Sequence, residues 1–193
     1  GKGYLYIGDI GNNGNNRQKL HIYKISTKDI LKKEKASAES ITFSYAEQTS
    51  FPPKNEELHF DAEALSYYND SLYIFTKCRT KPFDGKSFCY VVSTKPGEYK
   101  LKKRTELFLG KGGFFKDAVT GSAICGDRCY ILTYDRMIIY KIKNGKFELQ
   151  RAIYLKPYSQ KEAITTRDNK TIYISDEKQK IVGGGNLYKI RLE

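Results

Sequence analysis

The sequence predicts an all-β fold of repeated four-stranded antiparallel units, the β-propeller architecture, on three observations. A strand motif centred on tyrosine occurs four times, at Leu5-Tyr6-Ile7, Leu72-Tyr73-Ile74, Cys129-Tyr130-Ile131 and Ile172-Tyr173-Ile174. A second motif follows each in the same order, at Ile22-Tyr23-Lys24-Ile25, Cys89-Tyr90-Val91-Val92, Ile139-Tyr140-Lys141-Ile142 and Leu187-Tyr188-Lys189-Ile190. Turn-forming residues punctuate these runs at hairpin spacing, and self-similarity of this kind marks a repeat fold.

The two motifs read as the second and third strands of each unit. Inner strands precede three of the second strands, at Glu63-Ala64-Leu65-Ser66, Gly121-Ser122-Ala123-Ile124 and Glu162-Ala163-Ile164-Thr165. They are joined to them by Asn69-Asp70, Gly126-Asp127-Arg128 and Asp168-Asn169-Lys170, residue types that tolerate the backbone of tight turns. Fourth strands follow at Ile41–Tyr45, Thr105–Leu109 and Arg151–Leu155. A short helix is predicted over Thr27–Glu34, capped by Ser26 or Thr27. Residues 48–58, with Pro52-Pro53, and 110–117 read as connections between units. Small side chains at Ala62, Ala64, Gly121, Ala123 and Ala163 suit inner strands crowded at a central axis.

The whole chain, 1–193, is thus one propeller domain, or the C-terminal portion of one, with blades at about 4–47, 60–110, 119–156 and 161–193. The first unit has no inner strand and the last no outer one. This uneven count predicts part of a five- or six-bladed propeller with further sequence upstream; the alternative is a compact four-bladed ring with incomplete blades.

Composition bounds the function. Hydrophobic residues make up 39% and aromatics 13%, which excludes the composition of disordered chains. No apolar run is long enough to span a bilayer. The net charge of +12 is spread over the whole length, the densest run being Lys32-Lys33-Glu34-Lys35, which argues for a solvated lysine-rich surface over a nucleic-acid face. Cys78 with Cys89 and Cys125 with Cys129 flank hairpin loops, so two disulfides and an oxidising compartment are expected; buried free thiols are the alternative. His21 and His59 are the only histidines and stand at no zinc-finger spacing from a cysteine, so a structural zinc site is not expected.

Gly8-Asp9-Ile10-Gly11-Asn12-Asn13, Arg17, Phe60-Asp61-Ala62-Glu63-Ala64 and Leu72–Lys77 together resemble a group of secreted propeller proteins and lipoproteins common in Bacteroidetes. The resemblance covers most of the chain and implies an extracytoplasmic location, periplasmic, secreted or lipid-anchored. Glu162-Ala163-Ile164 with Tyr173-Ile174-Ser175-Asp176-Glu177 is more distantly similar to the phytase-like and SdiA-regulated six-bladed propellers, with alanine in place of a glycine. Some of that wider set bind calcium or hydrolyse esters.

In antiparallel blades, Asp61, Glu63 and Glu162 at the start of inner strands share one rim with Asp9, Asn12, Asn13, Lys77, Asp135, Asp176 and Glu177 just past second strands. The expected ligand-binding set is Asp9, Asn12, Asn13, Arg17, Asp61, Glu63, Lys77, Glu162, Asp176 and Glu177. Asp9, Glu63 and Glu162 offer the hard oxygen donors calcium prefers. Asp and Asn after a strand also make turns by bonding their own backbone, and the glycines around Asp9 favour that role there. No Gly-x-Ser-x-Gly elbow is present, and Gly183-Gly184-Gly185 precedes no helix, reading as the last hairpin loop. The pattern points to a binding or scaffold propeller with a protein or glycan ligand at the channel mouth. A calcium-dependent hydrolase of phosphate or carboxyl esters is the alternative.

Overall fold

The computed structural model describes residues 3–178 and 184–192. The chain folds into four sheets in sequence, an all-β propeller. Blade 1 holds β1 (Tyr4–Asp9), β2 (Leu20–Ser26) and β3 (Ala38–Tyr45). Blade 2 holds β4 (Asp61–Tyr68), β5 (Ser71–Lys77), β6 (Lys86–Ser93) and β8 (Thr105–Phe108), while β7 (Gly97–Leu101) leaves it. Blade 3 is β9 (Val119–Cys125), β10 (Arg128–Thr133), β11 (Arg136–Lys143) and β12 (Lys146–Tyr154). Blade 4 is β13 (Lys161–Thr166), β14 (Thr171–Asp176) and β15 (Leu187–Arg191).

The tyrosine motifs set the register. Ile7 lies opposite Tyr23, Ile74 opposite Tyr90 and Ile174 opposite Tyr188, so in these blades the two motifs pair directly. In blade 3 the pairing is shifted by two, with Cys129 opposite Tyr140. The turns behave as their residues require: Asn69 and Asp70 both take positive φ, as do Asn144 and Gly145 in the β11–β12 hairpin.

Inner strands meet in turn, β4 against β9 and β9 against β13. They approach closely enough that a Cβ at Gly121 would lie 3.0 Å from the Glu162 carbonyl, and Ser66 and Ser122 share a 2.7 Å hydroxyl contact across the gap. Ala62, Ala64 and Gly121 are buried there, whereas Ala163 is exposed. Apolar cores fill the spaces between blades: Ile22, Ile41, Phe43, Leu72, Ile74 and Tyr90 between the first two, and Phe75, Cys89, Cys129, Ile131 and Tyr140 between the next two. Tyr130, Leu132, Met137, Ile172 and Ile174 fill the third.

Three features depart from expectation. Strand β7 pairs parallel with β3, so blade 1 gains its fourth strand at the outer edge while its inner position stays open. Leu101 anchors it in the core, and Lys19 and Glu98 pair at 2.7 Å. The 110–117 connection contains a helical turn, α2 (Phe114–Asp117), and residues 48–58 contain the 3-10 turn Asn55–Glu57. The expected helix is present and shorter, α1 (Thr27–Lys32).

The disulfides are the third departure: all four cysteines are free thiols. Cys125 lies opposite Arg128 and Cys129 opposite Ile124, so the two sulfurs stand on opposite faces of blade 3. Cys89 points with Phe75 into the core between blades 2 and 3, while the Cys78 thiol is held by Thr80 and Asp84. Gly183 of the expected last loop lies outside the described residues. No described helix is long and apolar enough to cross a membrane.

Candidate functional site

The hairpin registers decide which polar groups meet. Asp61 pairs with Lys77 across β4 and β5, and Lys161 with Asp176 across β13 and β14. The starts of inner strands and the ends of second strands therefore lie at one end of the molecule. The loop after β1 is tied to the same end by Asn12.

Asp61 is fully buried and is the hub. Its Oδ1 accepts the backbone N–H of Asn12 at 2.6 Å and its Oδ2 accepts Nε of Arg79 at 2.5 Å. Asn12 donates its amide to the Phe60 carbonyl and accepts from the Arg17 N–H. Asn15, at positive φ, accepts the Phe60 N–H at 2.7 Å, while its own carbonyl accepts from Gln48. This asparagine loop thus fastens blade 1 to the entry of blade 2. Asn12 spends its bonds on the chain itself; Asn13 is exposed and accepts from Arg79 Nη2 at 2.6 Å.

Arg79 also reaches Glu63 at 3.4 Å, which places Glu63 beside Lys77 at 3.5 Å. Lys77 is buried, donates to the Tyr134 hydroxyl at 3.1 Å and stands over the rings of Phe114 and Tyr134. The Arg79 guanidinium lies 5.3 Å from the Phe114 centroid. Burial pushes the Glu63 carboxyl above its ordinary range, with Asp61 adding to the rise and Lys77 and Arg79 opposing it. Burial raises Glu162 too, against the pull of Lys77 and reinforced by Glu63 and Glu177. Blades 2 and 4 thus bring two reluctant carboxylates into the field of one buried ammonium.

Phe114 is positioned by blade 3. Arg136 bonds the Leu109 carbonyl and Asp117, and Asp117 accepts the Gly112 N–H, which fixes α2 and its aromatic residue. Phe114, Phe115 and Tyr134 pack together, and the Tyr158 hydroxyl donates to the Phe115 carbonyl. Beside them opens a cleft of about 430 Å³ walled by Asn13, Leu58, Arg79, Thr80, Lys81, Phe83 and Phe114.

Of the expected set, Asn13, Asp61, Glu63 and Lys77 come together here, Glu162 and Glu177 sharing their field. The other four, Asn12, Asp9, Arg17 and Asp176, do other work. Asp9 is forked by Arg17 at 2.9 and 3.1 Å, and that hydrogen-bonded guanidinium holds its carboxyl below the usual range. Burial would raise Asp176, but Ser159, Asn186 and Tyr188 bond it and hold it at about 2. The calcium set of Asp9, Glu63 and Glu162 is not assembled, because Arg17 occupies the first while Lys77 and Arg79 neutralise the second. Among the described residues, the one close group of three such ligands is His59, Cys78 and Asp84.

Arg79, Phe114 and Tyr134 were not legible as site residues. The register could have found Arg79: extending the Asp61–Lys77 pairing outward brings residue 79 beside 58 and 59, where its N–H bonds the Leu58 carbonyl. Phe114 carried no such signal.

No protein-family model and no curated protein matches the chain. Among solved structures, the PQQ-bound aldose sugar dehydrogenase of Streptomyces coelicolor is similar over 90% of this chain and 59% of its own, at 9% identity and a TM-score of 0.51. The β-propeller domain of Cps50 (Swd1) from Myceliophteria thermophila aligns over 97% of this chain and 55% of its own, at 11% identity and a TM-score of 0.46. The chain spans less than two thirds of either structure, and likeness at such identity shows the fold alone.

Proposed function

We propose that this propeller is a non-catalytic binding module that holds an acidic glycan in the cleft beside Phe114. The carrying observation is the join of an aromatic face to convergent polar groups: Phe114 stacks with Arg79, and Asn13, Thr80 and Lys81 line the same wall. Apolar faces with a few fixed polar groups are how small-ligand clefts orient what they bind. Lys81 is exposed on that wall, and with Arg79 it gives the cleft two cations that favour an anionic ligand. An extracytoplasmic setting, where glycans are met, rests on the sequence resemblance; the four free thiols lend it no support.

The test is calorimetric titration of acidic and neutral oligosaccharides into the purified chain and into Phe114→Ala and Lys81→Glu. An acidic oligosaccharide should bind the wild type, and removal of Phe114 should weaken it roughly thirtyfold, the loss typical of an anchor residue. Equal binding by Phe114→Ala, or no binding by any oligosaccharide, overturns the reading. So does hydrolytic turnover of a phosphate or carboxyl ester that disappears in Glu63→Gln.

A further inference from the structure

Three segments that close one end of blade 2 each contribute a metal-ligating side chain to one spot. His59 precedes β4, Cys78 follows β5 and Asp84 precedes β6, and one donor atom of each lies within 4.8 Å of the others. His59 Nε2 is 3.2 Å from Asp84 Oδ2, and Cys78 Sγ is 3.1 Å from Asp84 Oδ1. The imidazole is stacked on Phe88 with centroids 4.3 Å apart, which fixes its plane. The Asp84 carboxylate is held by the Lys86 N–H, and its own backbone N–H donates to Thr80 Oγ1.

Two further facts bear on what this trio is for. His59 is 6% exposed and its Nδ1 has no hydrogen-bond partner, so moving the ring proton to Nδ1 frees the Nε2 lone pair for a cation at the cost of the Asp84 contact alone. Asp84 lies between the thiol and the imidazole and bonds both, so the histidine is not placed to take the thiol proton as a nucleophile's base would. A nitrogen, a sulfur and an oxygen from separate segments, with a fourth direction open past the partly exposed Asp84, match an open tetrahedral site.

We propose that His59, Cys78 and Asp84 bind a divalent transition metal of the zinc class. Soft sulfur and borderline nitrogen select zinc or cobalt over calcium and magnesium. Binding exchanges the thiol proton for a sulfur–metal bond and releases that proton, while the imidazole proton moves to Nδ1. The metal would link the segments that wall the cleft, since Leu58, Arg79, Thr80 and Phe83 are chain neighbours of the three ligands. The site stands whether or not a glycan occupies that cleft.

The test is cobalt titration of the reduced, chelator-washed chain, read by absorbance. One equivalent should produce a sulfur-to-cobalt charge-transfer band, and zinc should abolish it by displacement. At free metal a hundred times the Kd, the melting temperature should rise by about 5 to 10 °C. The band should vanish in Cys78→Ser and persist in Cys125→Ser, which removes a partly exposed thiol elsewhere. Absence of a band in the wild-type chain, or a band that survives Cys78→Ser, overturns the assignment, and the wild-type arm decides even if Cys78→Ser fails to fold.

Discussion

Asp61→Ala removes the hub of the network at the blade ends. Asp61 is fully buried, and its two oxygens satisfy the Asn12 N–H and the Arg79 guanidinium. Deleting one partner of a buried pair leaves the other charge uncompensated, at a cost of about 3 to 5 kcal/mol. Arg79 is 24% exposed and keeps Glu63 and Asn13, which pulls the cost toward the lower figure. The orphaned Asn12 N–H adds about 1 to 3 kcal/mol of its own, for a sum of about 4 to 6 kcal/mol. For a chain of this size that corresponds to a fall in melting temperature of roughly 8 to 24 °C. Urea denaturation followed by circular dichroism measures it, with Asp61→Asn as the isosteric control that keeps an acceptor for Asn12 and loses the charge. A loss under about 1 kcal/mol for Asp61→Ala, or Asp61→Asn matching the wild type, would refute the view that this carboxylate ties the first two blades together.

Glu162→Gln should stabilise the chain at pH 7. The folded state holds the Glu162 proton more tightly than the unfolded one, whose value lies near 4.5, so its favourable contribution is complete below that pH and disappears as pH rises through the raised folded value. The gain in urea midpoint should therefore close as pH falls toward 4, and a variant no more stable than the wild type at pH 7 would contradict it. Thiol titration without reductant should count four reactive groups in denaturant. In the native chain Cys125 should react first, while Cys89, fully buried and pushed up to about 12 by that burial, should stay silent; two groups or fewer in denaturant would mean disulfides.

What was legible in the sequence was local. The tyrosine motifs and their turn residues predict the blades because hairpin pairing depends on neighbours a few residues away. Strand β7 was hidden because only Leu101 of its five residues is buried, and its pairing with β3 is decided some fifty residues distant. The Cys125–Cys129 disulfide failed because strand alternation puts the two sulfurs on opposite faces, and the Cys78–Cys89 one because Cys78 lies past the end of β5 with its thiol held by Thr80 and Asp84. Asp61, Glu63 and Lys77 were expected near one another because they lie at the start of one strand and the end of the next, and the register brings them together. Phe114 lies in a loop of no periodicity, held by Arg136 from another strand, and only the tertiary packing reveals it.

The distribution of buried charge separates structure from function at this end of the molecule. Asp61 and Arg79 earn a structural role, since each satisfies the other and both hold the asparagine loop. Glu63 and Glu162 do not: burial raises both, with Asp61 adding to the rise at Glu63 and Glu63 and Glu177 adding to it at Glu162, so each carboxylate is held at a cost to stability. Apolar replacement of buried ionic groups is often neutral or stabilising, so packing alone gives no reason to keep them. Carboxylates held at such a cost are the groups for which a role other than packing is to be sought. The same argument predicts where stabilising substitutions cluster: at Glu162 on the rim rather than at Asp61 beneath it.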